Sequence, residues 1–414
     1  MTVQLTELPS GLRVVSESRR TVETVAIGVW VDVGARFETK TQNGVTHCLE
    51  HMLFKGTSTR SARDIAFEIE SVGGHMNAYT SRDNTTYYAR VLKEDLPLAV
   101  GLLGDLVINS VCDAEELERE KDVILQEIGQ TLDTPDDIVF DHLQSVAFKD
   151  QPIGRTILGD AATVRGFNRD GLMEFLATHY LAGNIVVSAV GNLDHEHLVA
   201  LVAEKFEQLP TGVRDKPEAA HYVGGVHLHN RELEQLHLTL GWPGVSFHDG
   251  NYYAHQIYST ILGGGMSSRL FQEVREHRGL AYSVYSFSSS HAETGLFGIY
   301  AGTSPNLVSD MVPVIKGEME ALAKGATDQE FQIARAQLKA GLLMALEATT
   351  SRMEQLGRQL LVFGRVIPVQ EMIENVDSVT KLDVSTVAAE FVDIDNPSIA
   401  AVGDPKVVSK TLIN

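Results

Sequence analysis

The stretch THCLEHMLFKGT at residues 46–57 places three polar side chains inside an apolar pattern that is typical of a buried helix. His47 and His51 lie four positions apart, so on a helix both imidazoles project from one face and can bind the same ion. Glu50 stands beside His47 and points into the same space. This order, His-x-x-Glu-His, is the inverse of the common zinc-protease motif and indicates a metal site with an adjacent carboxylate base. The alternative is a satisfied pair of core histidines beside a solvated glutamate.

A hydrolytic zinc site needs a third protein ligand, because three ligands leave the fourth position open for water. The acidic sequence DAEELEREKDVILQEIGQ at residues 113–130 predicts a helix that could supply it. Within it, Glu120 and Glu127 are seven positions apart, which is two turns along one helix face. This spacing does not choose between the two carboxylates, and an acidic helix face can also simply be solvated.

The elements that must position these residues occur twice in the chain. ETVAIGVWVDVGARFE in the first half predicts a strand with one buried face, and a similar pattern returns in the second half as EQLHLTLGWPGVSF. FLATHYLAGNIVVSAVGNLD at 175–194 likewise resembles VAAEFVDIDNPSIAAVGDPK at 387–406. Similarity at both ends with a nearly fixed offset predicts two homologous halves.

We therefore predict an α+β fold of two homologous domains, each a mostly antiparallel sheet with helices on one side. Residues 1–210 form the zinc-binding domain and residues 223–414 the second domain. Residues 211–222 contain Pro, Gly and mixed charge without periodicity, which is typical of a linker.

In the second half, AHQIYSTILGGG at 254–265 aligns with the histidine motif and keeps its apolar positions. Tyr258 stands at the position of Glu50, and Ser259 stands at the position of His51. The metal site of the second domain is therefore expected to be degenerate. The repeated helix can evidently pack without these polar residues, so a chemical role in the first half is favoured.

The overall composition excludes several classes of function. The chain has 414 residues and a formal net charge of -21, which repels nucleic acids and anionic membranes. The N-terminal sequence has no apolar stretch of signal-peptide length, and no window reaches the roughly 18 apolar residues of a membrane span. We expect a soluble cytoplasmic protein without a nucleic-acid or membrane partner, and export by a route without a signal peptide stays open.

Longer stretches of the sequence resemble a known family. HCLEHMLFKGT, GGHMNAYTSRDNTTYYARV at 73–91 and LEREKDVILQEI at 117–128 are similar to the pitrilysin-type (M16) zinc metallopeptidases. Within this family the chain is most similar to the short-chain group of bacterial and mitochondrial processing peptidases (M16B-like). QPIGRTILG at 151–159 and LGGGMSSRLFQEVREHRGLAYSVYSF at 262–287 extend the resemblance over nearly the whole chain.

The resemblance implies roles for individual residues of the motif. His47, His51 and Glu127 match the family's zinc ligands, with one Zn²⁺ per chain. Glu50 matches the catalytic base, which takes a proton from water and passes it to the leaving amine. Glu120 matches the second acidic residue, which is expected to orient a ligand histidine.

The resemblance also implies a substrate site. Asn77 and Ala78 match a strand edge to which the peptide adds as an extra strand, although an ordinary sheet edge is the alternative. Arg275 and Tyr282 match an Arg/Tyr pair that hydrogen-bonds the peptide and the developing oxyanion.

The function implied is that of a zinc metalloendopeptidase acting on unfolded peptides or presequence-like segments. Large family members close four such domains into a clam shell around a chamber, so this chain is expected to form half of one. A homodimer or a heterodimer with a paralogous subunit would complete it. The alternative function is a non-catalytic structural or binding subunit of a processing-peptidase-like complex.

Overall fold

The structure is a computed structural model that describes residues 2–213, 216–392 and 397–408. Residues 214 and 215 of the predicted linker, and residues 393–396 of the second repeated segment, lie outside the described residues. The strands found in the described residues are β1 (Val3–Glu7), β2 (Arg13–Ser18), β3 (Thr24–Val31), β4 (His75–Thr80), β5 (Thr85–Leu92), β6 (Ile185–Gly191), β7 (Gly225–Asn230), β8 (Leu236–Gly244), β9 (Ser283–Ser290), β10 (Gly295–Thr303) and β11 (Ser398–Gly403).

The helices of the same residues fall between these strands and after them. They are α1 (Val45–Leu53), α2 (Ala62–Ser71), α3 (Leu96–Asn109), α4 (Ala114–Asp133), α5 (Pro135–Ala147), α6 (Ala161–Gly166), α7 (Arg169–His179), α8 (His195–Lys205), α9 (Tyr252–Gly263), α10 (Val308–Ala323), α11 (Asp328–Ala345), α12 (Thr349–Phe363), α13 (Val369–Ser378), α14 (Lys381–Val392) and α15 (Pro405–Val408). Over the described part of the chain, none of them is long and apolar enough to cross a membrane.

The described strands form two sheets, of six and five strands, which share the topology of five strands; β1 is an additional edge strand of the first. The first has the order β1-β2-β6-β3-β5-β4, and the second has the order β7-β11-β8-β10-β9. Neighbouring strands are antiparallel except for one parallel pair in each sheet, β2 with β6 and β7 with β11. The register of this pair is shared as well, since Val15 lies opposite Ser188 and, at the matching place in the second sheet, His227 lies opposite Ala400. The predicted α+β fold with two homologous, mostly antiparallel sheets is confirmed.

Strand β3 is buried on both faces, whereas its alternation predicted one buried face. Its odd-numbered residues from Val25 to Val31 belong to a core cluster that includes residues of α1 and α3. Ala26 and Trp30 point the other way and pack with Met353 of α12. Most helices of this part of the fold thus lie on one face, as predicted, while one helix covers the opposite face.

The second sheet is covered in the same manner. Leu238 and Leu240 of β8 join a cluster with residues of α9 and α10, while Leu143 of α5 packs with Tyr300 of β10 and Val402 of β11 on the other face. Helices α5 and α12 each turn an apolar face to a sheet, and among the described helices each alone covers that face of the sheet.

The chain divides into two compact units that are discontinuous in sequence. One comprises Met1–Gly129, Arg155–Glu218 and Met344–Val366, and the other comprises Gln130–Gly154, Ala219–Leu343 and Ile367–Asn414. Helix α5 of the first half therefore belongs to the unit of the second sheet, and α12 of the second half belongs to the unit of the first sheet. The division at 211–222 describes the sequence repeat and stays a prediction as a domain boundary.

Candidate metal centre

Helix α1 carries the histidine motif, and its N-terminus is held by a buried carboxylate. Glu38 Oε2 accepts the backbone N–H of Gly44 at 2.7 Å, and Glu38 Oε1 accepts the N–H of Thr46 at 2.8 Å. Burial raises the pKa of Glu38 to about 7, against the opposing effect of these donors. Gly44 itself has φ 93°, and a Cβ there would lie 2.6 Å from the carbonyl oxygen of Leu158. The start of α1 is thus fixed before the motif begins.

The three predicted ligands converge in the first compact unit. His47 Nε2 and His51 Nε2 are 3.2 Å apart. Glu127 Oε2 on α4 lies 3.6 Å from His47 Nε2 and 3.7 Å from His51 Nε2. Helix α1 contributes two corners of this triangle because of the four-residue spacing, and α4 contributes the third.

The triangle has the dimensions that one zinc ion requires. Zn–N and Zn–O bonds of about 2.0–2.1 Å put the ligand atoms of a tetrahedral site about 3.3 Å apart. Two imidazoles and one carboxylate are also a common ligand set of hydrolytic zinc sites, with the fourth position left for water. The residues present therefore fit zinc in both chemistry and spacing.

Glu120 lies behind His51 rather than at the metal position. Its Oε1 accepts the Nδ1–H of His51 at 2.8 Å, and its Oε2 contacts Lys55 Nζ at 2.6 Å. Burial alone would raise the pKa of Glu120, but the bonds from Lys55 and His51 leave that pKa below its ordinary value. An ionised Glu120 holds His51 in the tautomer whose Nε2 lone pair faces the cluster. The geometry thus distinguishes the two carboxylates that spacing alone could not.

His47 is almost fully buried, with an exposed fraction of 9%. Burial and the nearby His51 lower the pKa of His47 to about 3, which keeps the ring neutral. Its Nδ1 has no hydrogen-bond partner among the described residues. A buried neutral imidazole with Nε2 directed at two other ligands is suited to binding an ion.

Glu50 completes the motif on the same helix. Thr80, the last residue of β4, donates its hydroxyl to Glu50 Oε2 at 2.5 Å. Burial raises the pKa of Glu50 above its ordinary value, while Thr80 and His51 oppose the shift and Glu127 adds to it. A carboxylate with a raised pKa is better matched to accepting a proton near neutral pH.

The predicted peptide-binding residues lie on β4, the end strand of the first sheet. Among the described residues of this unit, β4 pairs on one side only, with β5. Asn77 is exposed, and its Oδ1 accepts the backbone N–H of Ala78 at 2.8 Å. The structure therefore places Asn77 and Ala78 on an open sheet edge. Two residues further along the same strand, Thr80 contacts Glu50.

Arg275 and Tyr282 lie together in the second compact unit. Arg275 lies within a π-helical segment, Phe271–Glu276, and its guanidinium is 5.2 Å from the ring centre of Tyr282. Both residues line an open cavity of about 410 Å³, and Tyr282 is 72% exposed. The pair can thus present an N–H fork and a phenol to a ligand in solution.

Two residues of the first unit were missed by the sequence analysis. Lys55 contacts Glu120, and Thr80 contacts Glu50. Both stand inside stretches that carried the resemblance, THCLEHMLFKGT and GGHMNAYTSRDNTTYYARV. Their only signal was that position, because a lysine or threonine near a motif has many ordinary roles. Cys48, which faces the apolar core, is not part of the cluster.

Comparison with known families matches most of the chain. Residues 13–161 match the insulinase family (peptidase family M16), and residues 166–338 match the family described as peptidase M16 inactive domain. The first match contains the whole ligand triangle, and the second contains Arg275 and Tyr282.

Individual relatives align over almost the full length. The chain is 42% identical to an uncharacterized zinc protease of Streptomyces coelicolor, over 98% of this chain and 90% of the relative. It is 38% identical to a probable mitochondrial-processing peptidase subunit beta of Arabidopsis thaliana, over 97% of this chain and 78% of the relative.

Solved structures share the fold at low sequence identity. A peptidase M16 inactive domain protein from Pseudomonas fluorescens superposes with a TM-score of 0.91 at 22% identity, over 98% of both chains. A protease from Helicobacter pylori gives a TM-score of 0.90 at 21% identity, over 97% of this chain and 99% of the other.

Proposed function

The chain belongs to peptidase family M16, and from that premise we propose that it is a zinc-dependent endopeptidase that hydrolyses unfolded peptides. The observation that carries the proposal is the triangle of His47, His51 and Glu127, with edges of 3.2–3.7 Å. The similarity to proteins named zinc proteases supports the same metal. A complete donor set also favours catalysis over the alternative of a non-catalytic subunit, because a scaffold does not need it.

His47, His51 and Glu127 would hold one catalytic Zn²⁺ per chain. The bound ion would lower the pKa of a water molecule to about 7 and polarise the scissile carbonyl. Glu50 would take the proton of the attacking water and deliver it to the leaving amine. Thr80 would hold the Glu50 carboxylate in place, and Glu120 would hold His51 in its ligand tautomer.

The peptide would bind along β4 by backbone hydrogen bonds. The N–H of Ala78 is held by the side chain of its own neighbour Asn77, so a substrate carbonyl could replace that side chain without leaving a buried group unpaired. Backbone pairing requires an extended substrate, which is why unfolded peptides or presequence-like segments are the proposed class. Arg275 and Tyr282 would hydrogen-bond the peptide and the developing oxyanion.

We extend the proposal to the assembly. The chain carries both the donor set and the Arg275/Tyr282 pair, so a homodimer could be self-sufficient, while a heterodimer with a paralogous M16 subunit is the other arrangement. Analytical ultracentrifugation of the purified chain, together with its activity alone, distinguishes the two. An inactive monomer that gains activity only with a paralogue would exclude the homodimer.

The test of the function uses the full-length chain and an unstructured peptide with a fluorescence-quenched pair. Removal of metal with a chelator should abolish cleavage, and added Zn²⁺ should restore it. The same peptide segment inserted into a stable folded protein should resist cleavage. A chain that binds zinc at the triangle but cuts no peptide in any assembly would instead support the non-catalytic subunit.

A further inference from the structure

Three histidines outside the catalytic cluster converge in the second compact unit. His142 lies on α5. His227 and His229 are two positions apart on β7, so they point to the same side of the strand. One nitrogen from each ring lies within 4.8 Å of the others. His142 Nε2 and His229 Nδ1 are 3.1 Å apart, and the rings of His142 and His227 stack at 3.9 Å.

The first half of the chain shows that this place in the fold does not need histidine. The shared strand register aligns β7 with β2, so His227 corresponds to Val15 and His229 to Glu17. When α5 and α12 are aligned at their first residues, His142 corresponds to Leu356. Val15 and Leu356 are both fully buried in an apolar cluster.

Two of the three histidines replace buried apolar residues, so their polar rings are not explained by packing. The described ring contacts of the cluster are with one another. Burial and the neighbouring histidines lower the pKa of His142 to about 4. The pKa of His227 is lowered too, by burial and by His229. His142 and His227 are therefore neutral at pH 7, which is the form that binds metal ions.

We propose that His142, His227 and His229 form a second metal site, which binds a divalent transition ion such as Zn²⁺. The separation of 3.1 Å between His142 Nε2 and His229 Nδ1 matches the roughly 3.3 Å expected of two ligands in a tetrahedral zinc site. His227 must turn out of its stack with His142 to supply the third nitrogen. Three imidazoles without thiolate select zinc, copper, nickel or cobalt over magnesium and calcium, which prefer oxygen ligands.

All three side chains are half-buried, so an ion can enter from solvent. Three protein ligands leave one coordination position open. The ion would link α5, contributed by the first half of the sequence, to β7 of the sheet that it covers. Binding would therefore stabilise the fold of the second unit rather than supply the peptidase chemistry.

The test counts metal ions in the full-length chain. After removal of metal, the wild-type chain should bind two equivalents of Zn²⁺, as measured by titration against a chromophoric chelator and by elemental analysis. The variant His142→Leu/His227→Val, which installs the residues found at the matching positions of the first half, should bind one. His51→Ala should also bind one, and the exposed control His197→Gln should bind two.

Titration with Co²⁺ gives an independent readout that does not depend on activity. Subtracting the spectrum of Co²⁺-loaded His51→Ala from that of the Co²⁺-loaded wild-type chain should give the visible absorption bands of the first site. Subtracting the spectrum of His142→Leu/His227→Val in the same way should give a different set of bands, from the second site. Zn²⁺ should raise the unfolding temperature of the His51→Ala variant but not of one that also carries His142→Leu and His227→Val. A wild-type chain that binds one equivalent, all of it lost in His51→Ala, would overturn the proposal, as would a second equivalent that survives His142→Leu/His227→Val.

Discussion

Helices α1 and α9 occupy matching places in the two halves but carry different chemistry. Each packs against the end strand of its sheet, α1 against β4 and α9 against β9. Where α1 has Glu50, α9 has Tyr258, a fully buried ring that stacks on Phe391 at 5.0 Å. Where α1 has His51, α9 has Ser259, which hydrogen-bonds Ser286 of β9. The second copy thus has a packed aromatic ring and a hydroxyl pair where the first copy has a carboxylate and an imidazole.

The helix that carries Glu127, the third proposed ligand, differs in the same way. When α4 and α11 are aligned at their first residues, the buried Leu117 and Ile124 of α4 match Phe331 and Leu338 of α11. This alignment places Ala334 at the position of Glu120 and Gly341 at the position of Glu127. Every polar member of the cluster except His47, which matches His255, is therefore replaced. Because the fold is kept, the comparison separates the residues that pack the helices together from the residues proposed to bind an ion.

The largest expected effect comes from removing the base while keeping the ligands. Glu50→Gln has nearly the same shape and leaves His47, His51 and Glu127 in place. We expect the turnover number to fall by at least about 10⁴-fold, because neither water activation nor proton delivery remains, whereas a single acid–base step is typically worth 10²–10⁴. Zinc content by elemental analysis should be unchanged.

The exposed Glu70→Gln is the matched control for this substitution and should keep wild-type turnover. Substantial peptide cleavage by Glu50→Gln would remove Glu50 from its assigned role.

The second prediction separates the two carboxylates of α4. Glu120→Gln should weaken zinc binding by about 10–100-fold, as is typical of residues that orient a ligand histidine. Glu127→Gln should weaken it considerably more, because two histidines alone do not make a catalytic zinc site. Zinc affinity measured with a competing chelator tests both, and a larger loss in Glu120→Gln would reverse the assignment.

The sequence alone predicted that these residues form one cluster, but its spacing did not rank the two carboxylates, for a physical reason. The spacing of His47 and His51 predicts that the rings share a face, because helix geometry fixes it. Glu120 and Glu127 share a face too, so periodicity cannot rank them. The family resemblance ranked them, and the contact of Glu120 with His51 Nδ1 agrees with that assignment. The three histidines of α5 and β7 were not connected because a long stretch of chain separates the two elements, and sequence spacing carries no signal over that distance.

The fold shows a similar division between what a pattern can and cannot predict. Strand alternation and the repeat predicted two similar sheets, since both are local properties of the chain. Helical periodicity reports that α5 and α12 have an apolar face but not which sheet that face covers. The exchange of the two helices between the units was therefore not foreseen.

The exchanged helices allow a third prediction. In the first unit a large strand residue packs on a helix glycine, whereas in the second unit a large helix residue packs on a strand glycine. Trp30 of β3 packs on Gly357 of α12, where a Cβ would lie 2.4 Å from the indole. At the matching positions β8 has Gly241 and α5 has Leu143, whose Cδ1 lies 2.9 Å from where a Gly241 Cβ would be. Trp30→Gly alone should destabilise the chain by about 3–5 kcal/mol, as for other large-to-small core changes.

The double variant Trp30→Gly/Gly357→Leu installs the arrangement of the second half. It should be more stable than Trp30→Gly, because the leucine refills the cavity and improves helix propensity. Urea unfolding measures both free energies. The control Gly317→Leu, an exposed helical site with open space around it, reports the propensity gain alone. A double variant that gains no more than this control would show that the two contacts are not equivalent.

The smallest effect should come from the hydrogen bond that ties the motif to the sheet edge. Thr80→Val removes the hydroxyl that Glu50 Oε2 accepts while keeping the shape of a β-branched residue. That bond stabilises the charged carboxylate and opposes the effect of burial, so its loss should raise the pKa of Glu50 further. The acidic limb of the pH dependence of kcat/KM should then move to higher pH, because Glu50 acts as a base only when ionised. Near neutral pH the turnover should fall by less than about tenfold, since ligands and base both remain.

The exposed Thr178→Val on α7 is the control for Thr80→Val and should leave the pH profile unchanged. An acidic limb that moves to lower pH, or does not move, would show that Thr80 does not set the ionisation of Glu50 and that the bond acts only as a tether between α1 and β4, as Ser286 does for α9 and β9.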